Sequence, residues 1–203
     1  MIIRNVTQLQ DAVLPAVIDL YQTAFPVEEQ MLASFFWTLF HPDSKRHLAV
    51  AEQDDAFIGF VVWEDGDASL PGYLWYLAVR EDNRGGGAGK SLYGHAVHTL
   101  HDAGVPAVMF EVELPEEAEQ RAGILAGQIA HKRIAWYCKL GARSLKGVHF
   151  DCTTDWMGSI VMLPMIHSFN QSITAQQAFD WGVAVLADGN ASDFRLSGSL
   201  YLL

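Results

Sequence analysis

Three groups of residues in this chain have types and spacings that could do chemistry. The first is Arg84-Gly85-Gly86-Gly87-Ala88-Gly89-Lys90-Ser91, where four glycines in five positions leave the backbone nearly free of Cβ atoms. Its N–H groups can therefore converge on one small space. An apolar run, Tyr73 to Val79, enters this segment, and a helical pattern, Ser91 to Ala103, leaves it. A strand, a glycine turn and a helix start together suit a phosphate or pyrophosphate, because the helix adds unpaired amides and the positive end of its dipole. The second group is Glu111 and Glu113, which alternation places on one face of a strand. Such a carboxylate takes up a proton near neutral pH if burial raises its pKa. The third is His95, His98 and His101, at i, i+3 and i+6 of one helix, a spacing that can bind metal. Asp102 apart, no carboxylate or Cys completes a ligand set in that helix, so the histidines read as a solvated face and no metal is expected.

Positioning these groups takes an alternation of strands and helices. Met1 to Val6 reads as an edge strand, with Thr7 as an N-cap. From Gln8 to Phe25, Val13, Ala16, Val17, Leu20, Tyr21 and Ala24 recur at helical spacing, with Pro15 starting the main helix after a lead-in turn from Gln8 to Leu14. Pro26 breaks that helix, and Val27 to Phe40 reads as a second one, rich in large apolar groups. His47 to Ala51 and Ala56 to Trp63 are strands about a turn at Gln53-Asp54-Asp55. Leu70 to Val79 is the strand feeding the glycine turn, and the helix after it, Ser91 to Ala103, is closed by Gly104 and Pro106. Ala107 to Leu114 is a strand, and Pro115 to Gln120 is acidic and loop-like. Ala122 to Leu140 is a long helix with Leu125, Ile129, Trp136 and Leu140 on its apolar face and Gly141 at its C-cap. Ala142 to Phe150 and Ile160 to Ile166 form a hairpin about Asp151 to Ser159. Beyond it, Ala175, Phe179, Val183 and Leu186 mark a helix that Gly189 stops, and Ser197 to Leu203 reads as a terminal strand. The order predicts α/β layers about a mixed sheet. The tail from His167 is too apolar to float free. Residues 1–166 are therefore read as one domain and 167–203 as an extension packed on it or on a second copy, which makes a homodimer one expectation.

The 203 residues, half of them hydrophobic, can build a sizeable core. A formal net charge of −11 argues against a nucleic-acid partner, since phosphate backbones want a basic face. The same charge suits a cationic small substrate, and it also serves plain solubility. Cys138 and Cys152 are too few for a disulfide framework, and Cys138 reads as a small buried residue. No apolar run reaches membrane-spanning length and no clean signal-peptide core opens the chain, so a reducing cytoplasm and no membrane partner are expected.

Three phosphate motifs compete for the glycine turn. The dinucleotide fingerprint G-x-G-x-x-G fails, because its third glycine would fall on Lys90 or Leu92. The P-loop G-x-x-x-x-G-K-[ST] finds its end in Gly89-Lys90-Ser91, but its first glycine would fall on Arg84. A third pattern, [R/Q]-x-x-G-x-[G/A], is met by Arg84, Gly87 and Gly89. Through it, and through Leu77-Ala78-Val79 followed by acidic residues and the glycine run, the chain resembles the GNAT superfamily of N-acetyltransferases. The signature turn of that family cradles the pyrophosphate of acetyl-CoA. A second, distant match supports the first. Ile134-Ala135-Trp136-Tyr137-Cys138-Lys139-Leu140-Gly141-Ala142 is similar to the segment A-x-x-[FL]-Y-x-x-[LH]-G-[FA] that follows the family's fifth strand.

The resemblance covers about residues 3 to 166. It implies an α/β fold with a mixed central β-sheet flanked by helices, here with an extra C-terminal helix and strand. It implies acetyl-CoA as cosubstrate, held at Arg84, Gly85, Gly86, Gly87, Ala88, Gly89 and Lys90, with pantetheine along Leu77, Ala78 and Val79. It implies an amine acceptor on a small molecule or a peptide, attacking directly. By the same resemblance Tyr137 protonates the leaving thiolate. Glu111, in Phe110-Glu111-Val112 where relatives carry L-E-V, is the base, with Glu113 and water as alternatives. Because no covalent enzyme intermediate is needed, neither cysteine has to be a nucleophile. Two departures stand out. Many relatives carry Asn seven residues before the tyrosine, where this chain has Ala130 beside His131. The segment between Glu111 and Tyr137 is also longer, which makes His131 and Arg133 candidates for replacement CoA contacts. Glu28 and Glu29 fall where the family walls its acceptor site, although acids at a helix start are ordinary capping chemistry. Two other functions stay open: a non-catalytic acyl-CoA-binding module of the same fold, and a P-loop nucleotide enzyme.

Overall fold

The structure, a computed structural model, describes residues 1–154, 158–169, 172–187 and 193–203. It is an α/β fold with a mixed, mostly antiparallel sheet flanked by helices and an extra helix and strand at the C-terminal end. The chain divides into two compact units, one built on Met1–Asp65 and Leu74–Ala103, the other on Gly66–Tyr73, Gly104–Thr153 and Ser159–Leu203. No helix among the described residues is long and apolar enough to cross a membrane.

In the first unit the strands β1 (Ile2–Val6), β2 (Arg46–Gln53), β3 (Ala56–Glu64) and most of β4 (Gly72–Val79) are neighbours in that order. β1 and β2 run antiparallel from Ile2 opposite Glu52 to Val6 opposite Leu48. β2 and β3 form a hairpin whose two turn residues, Asp54 and Asp55, both take positive φ (52° and 61°), the twist a two-residue connection needs. Leu48, Ala49, Val50 and Ala51 are all buried, so this part of the sheet is covered on both faces. Helix α1 (Leu14–Ala24) turns Val17, Leu20 and Tyr21 onto one face, where they join Phe35, Phe36, Phe60 and Tyr76. Helix α3 (Ala88–Asp102) buries Leu92, Ala96, Val97 and Leu100 and packs on β2 and β3. Gly59 permits that packing, since a Cβ there would lie 3.2 Å from Leu92 Cδ1 of α3, besides 2.6 Å from the Ala78 carbonyl oxygen of β4.

Two expectations for this unit are corrected. Thr7 does not cap α1: its N-cap residue is Val13, and the Asp11 carboxylate accepts the Val13 N–H at 3.0 Å while holding Arg4 at 2.7 Å. The second helix expected over Val27 to Phe40 is a 3-10 turn, Val27–Glu29, followed by the short α2 (Phe35–Thr38). Between them the backbone is held from outside. Gln30 Nε2 donates to the Phe25 carbonyl at 2.7 Å, and the Met31 N–H donates to the Tyr21 hydroxyl at 2.7 Å. The second bond satisfies an N–H that a helix would have paired internally, and the first the carbonyl of Phe25 just before the segment.

In the second unit the order is β5 (Ala107–Glu113), β7 (Gly158–Ser168), β6 (Arg143–Thr154), β8 (Phe194–Leu202). β5 and β7 are antiparallel from Ala107 opposite Ser168 to Glu113 opposite Met162. The first two residues of β4 also belong here: Gly72 and Tyr73 lie parallel to Val108 and Met109. Pro115 to Gln120 is not a loop but the start of α4 (Pro115–Ala122), whose proline sits at the helix start and whose Glu116 and Glu117 meet the positive end of the dipole. Gly123 separates it from α5 (Ile124–Lys139), and Gly141, at φ +102°, closes that helix. The apolar face expected of α5 is also corrected: Leu125 is 67% exposed and Ile129 47%, while Gly127, Ala130 and Tyr137 are buried. Small residues win because α4 lies against them; a Cβ on Gly127 would come within 3.0 Å of the Glu119 Cβ. The hairpin strands are longer than expected: Asp151–Thr154 and Gly158–Ser159 belong to β6 and β7, and 155–157 lie outside the described residues, as does the Gly189 stop.

The C-terminal α6 (Ala175–Val185) and β8 build the core of this unit together with β5, β6 and β7. β8 starts at Phe194 rather than Ser197 and pairs antiparallel with β6. Ile173, Ala178, Ala187 and Phe194 are buried, with Phe179, Trp181 and Leu186 packed against them. Burying one large apolar side chain is worth about 1.5–3 kcal/mol, against a typical domain stability of about 5–15 kcal/mol. A chain ending before Gln171 is therefore expected to be insoluble or to melt at least ~10 °C lower in a thermal scan. A truncated protein of undiminished melting temperature would show the tail to be dispensable.

Candidate active site

Leu77, Ala78 and Val79 end β4, with Leu77 and Val79 half-buried and Ala78 buried. A 3-10 turn, Glu81–Asn83, follows and delivers Arg84 in extended conformation. Gly85 and Gly87 then take φ of +85° and +88°, the region that disfavours any side chain. A Cβ at either would meet nothing within 4 Å, so glycine is required by backbone conformation rather than by space. Helix α3 begins at Ala88, three residues before the expected Ser91, with Gly87 as its N-cap and no side-chain cap. Its first helical bond runs from the Ser91 N–H to the Gly87 carbonyl at 3.0 Å. The amides of Ala88, Gly89 and Lys90 thus occupy the first turn, where no helical carbonyl precedes them. No acidic residue stands in that turn, and Arg84 and Lys90 are exposed beside it. A helix start of this geometry can hold an anion.

Glu111 and Tyr137 both lie in the second unit, on β5 and α5. The Tyr73 hydroxyl reaches both oxygens of the Glu111 carboxylate, at 2.7 and 2.8 Å. Burial pushes the Glu111 carboxyl up to about 7, and the bond from Tyr73 and a backbone N–H offset part of that rise. Tyr137 is buried, its ring centroid 4.6 Å from that of Phe110 and 4.8 Å from that of Trp136. Burial pushes its hydroxyl up to about 12; Arg133 opposes the shift and Glu111 reinforces it. At neutral pH the pair is thus a carboxyl poised to gain or lose a proton and a phenol that keeps its own.

Glu113, two residues along the strand, has a different situation. Arg121 donates to one oxygen at 2.6 Å and Arg133 to the other at 2.8 Å, so α4 and α5 are both clasped to β5 through it. The clasp occupies Arg133, one of two residues considered for CoA contacts. Of the remaining candidates, His95 accepts or donates a bond with Asn5 at 2.9 Å and packs edge-on against Trp63. Among the described residues no three His, Cys, Asp or Glu side chains cluster as metal ligands would. Glu28 and Glu29 sit in the first turn of the 3-10 segment. Cys138 is exposed, against the expectation of a small buried residue, because α5 turns Tyr137 inward and its neighbour outward. Sequence reasoning missed Tyr73 and the Arg121–Glu113–Arg133 clasp. Both join residues 8 to 38 positions apart, which no local pattern announces.

Residues 14–122 match the model of the acetyltransferase (GNAT) family. Among curated proteins no match is found. Solved structures share the fold. A GNAT-family protein from Bacteroides thetaiotaomicron is 20% identical with a TM-score of 0.66, the alignment covering 92% of this chain and 98% of that one. An aminoglycoside 6'-N-acetyltransferase complexed with coenzyme A is 16% identical with a TM-score of 0.61 over 85% and 99% of the two chains. The ribosomal-protein-S18-alanine N-acetyltransferase of Escherichia coli is 19% identical with a TM-score of 0.55, again over 85% and 99%. The family match spans more than half of the sequence: the chain belongs to the GNAT family of acetyltransferases.

Proposed function

We propose that this enzyme transfers the acetyl group of acetyl-CoA to a primary amine of a small molecule or peptide, by direct attack of the amine on the thioester. The observation that carries the reading is the Glu111 carboxyl, bonded to Tyr73 and raised to about 7 beside the protonated Tyr137. An amine arrives as an ammonium near pH 7 and must lose a proton before it attacks. Glu111 accepts that proton. Backbone N–H groups at the end of β4, near Leu77, Ala78 and Val79, stabilise the oxyanion as the carbonyl is attacked, and the same strand end pairs with pantetheine as an added strand would. Tyr137 gives its proton to the departing thiolate and regains one from the nitrogen of the collapsing intermediate. One of the two protons leaving the nitrogen thus ends on Glu111 and the other on sulfur. The amides of Gly85 to Lys90, with Arg84 beside them, hold the pyrophosphate. The solved neighbours named for an aminoglycoside and for a ribosomal alanine support an amine acceptor, and the net charge of −11 supports a cationic one. We further propose that residues 1–166 form the transferase domain, that 167–203 are an extension packed on it or on a second copy, and that the protein works in the cytoplasm, in keeping with a sequence that holds only two cysteines, Cys138 and Cys152.

The test is release of free thiol from acetyl-CoA against a panel of polyamines, amino acids, aminoglycosides and short peptides. Thiol release with an acylated amine as co-product supports the proposal. Stabilisation by acetyl-CoA with no turnover on any amine would mark a non-catalytic binding module instead. The cradle has its own prediction. Acetyl-CoA at a hundred times Kd is expected to stabilise the fold by about 2.7 kcal/mol and so to raise the melting temperature, while ATP with Mg²⁺ leaves it unchanged. Gly87→Val forces a β-branched residue to positive φ and should abolish the acetyl-CoA shift while leaving a folded protein. Stabilisation by ATP alone would transfer the assignment to a P-loop enzyme.

A further inference from the structure

Tyr73 holds no place in the glycine-turn motif or the tyrosine segment, yet its hydroxyl hydrogen-bonds the carboxyl on which the proposed reaction turns. It lies 2.7 Å from Glu111 Oε1 and 2.8 Å from Oε2. The ring is 8% exposed, and its backbone is set by the parallel pairing of Gly72 with Val108 and Tyr73 with Met109, two residues before Glu111 on the neighbouring strand. A single O–H shared between two carboxylate oxygens fixes the plane and direction of the carboxyl group and is satisfied best when that group is ionised.

We propose that Tyr73 is a positioning residue for acetyl transfer: its hydroxyl, straddling both oxygens, aims the Glu111 carboxylate and favours its ionised form. The inference rests on Glu111 acting as the base. The other groups near this carboxyl pull in known directions. Tyr137 of α5 faces it as a neutral phenol, with Arg133 of the same helix acting on Tyr137. Glu113 on the same strand is neutralised by Arg121 of α4 and Arg133 of α5. From β7 the cross-strand partner is Pro164, which does not titrate. Tyr73 is thus the donor whose removal should be felt most directly. Without it, burial acts with less opposition and the carboxyl titrates higher.

The experiment compares the full-length protein with Tyr73→Phe. The Glu111 carboxyl is titrated by carbon NMR of glutamate-labelled protein without acetyl-CoA, its resonance identified by its absence in Glu111→Gln. kcat/KM for acetylation is measured over the same pH range. The midpoint of the Glu111 titration is expected to rise by about one pH unit, and the acid limb of kcat/KM to rise with it, giving about a fivefold loss at pH 7 that fades by pH 9. Should Tyr73→Phe fail to fold, 3-fluorotyrosine at the same position keeps the ring, donates more strongly and should move the midpoint down. An unchanged midpoint in a folded variant overturns the proposal. A shifted midpoint with an unshifted kcat/KM profile upholds the coupling and removes Glu111 as the base, so that failure falls on the proposed reaction instead.

Discussion

Glu111→Gln is expected to lower kcat/KM for amine acetylation by about a hundred- to a thousand-fold at pH 7, within the usual contribution of one general base. The substitution keeps the shape of the side chain and a carbonyl oxygen toward Tyr73 while removing the ability to accept a proton. The loss should be largest at low pH. In the parent enzyme an ammonium can bind and hand its proton to Glu111; in the variant only amine that is already unprotonated can react. Below an amine pKa near 10, that fraction grows about tenfold per pH unit, so the variant should regain roughly two orders of magnitude between pH 7 and pH 9. Acetyl-CoA binding, read as a thermal shift, should survive, because the cradle residues Gly85 to Lys90 are untouched. A uniform loss at every pH, without rescue, would assign Glu111 a structural role.

Tyr137→Phe should lower turnover by roughly ten- to a thousand-fold while barely changing acetyl-CoA binding. The substitution deletes one hydroxyl from a buried ring and leaves the contacts with Phe110 and Trp136 in place. Burial holds that hydroxyl at about 12, so it is a protonated donor throughout the working range, and its loss should not move the acid limb set by Glu111. With a good acceptor, and under conditions where chemistry limits the rate, full turnover in Tyr137→Phe would return the residue to core packing and leave water to protonate the thiolate.

What the sequence made legible follows from how local each signal is. The glycine turn is local: spacing within Arg84–Gly89 announces it, and only the helix start moved, to Ala88, because glycine at positive φ served as the cap in place of a polar side chain. The hairpin at Asp54-Asp55 and the breaks at Pro26 and Gly141 are local too. The helix expected over Val27 to Phe40 is interrupted after Glu29, where the Tyr21 hydroxyl of α1 takes the Met31 N–H. The apolar face of α5 was misjudged because large residues dominate a periodicity count. The helix instead buries Gly127 against α4, itself read as a loop, and buries the small Ala130 as well. At the site, Glu111 and Glu113 are indistinguishable by sequence, since both occupy one face of one strand. The fold separates them, giving Glu113 two arginines and Glu111 a tyrosine and a half-buried position whose desolvation raises its pKa.

The most direct test of the account is the pH dependence of kcat/KM for the parent enzyme and Glu111→Gln on one good amine acceptor. The parent should climb through an acid limb near pH 7 and flatten above it, because the base works only when deprotonated and Glu111 loses its proton at about 7. Glu111→Gln should lose that limb and rise with unit slope toward the amine pKa. The same limb near pH 7, present undiminished in Glu111→Gln, would contradict the assignment of Glu111 as the proton acceptor.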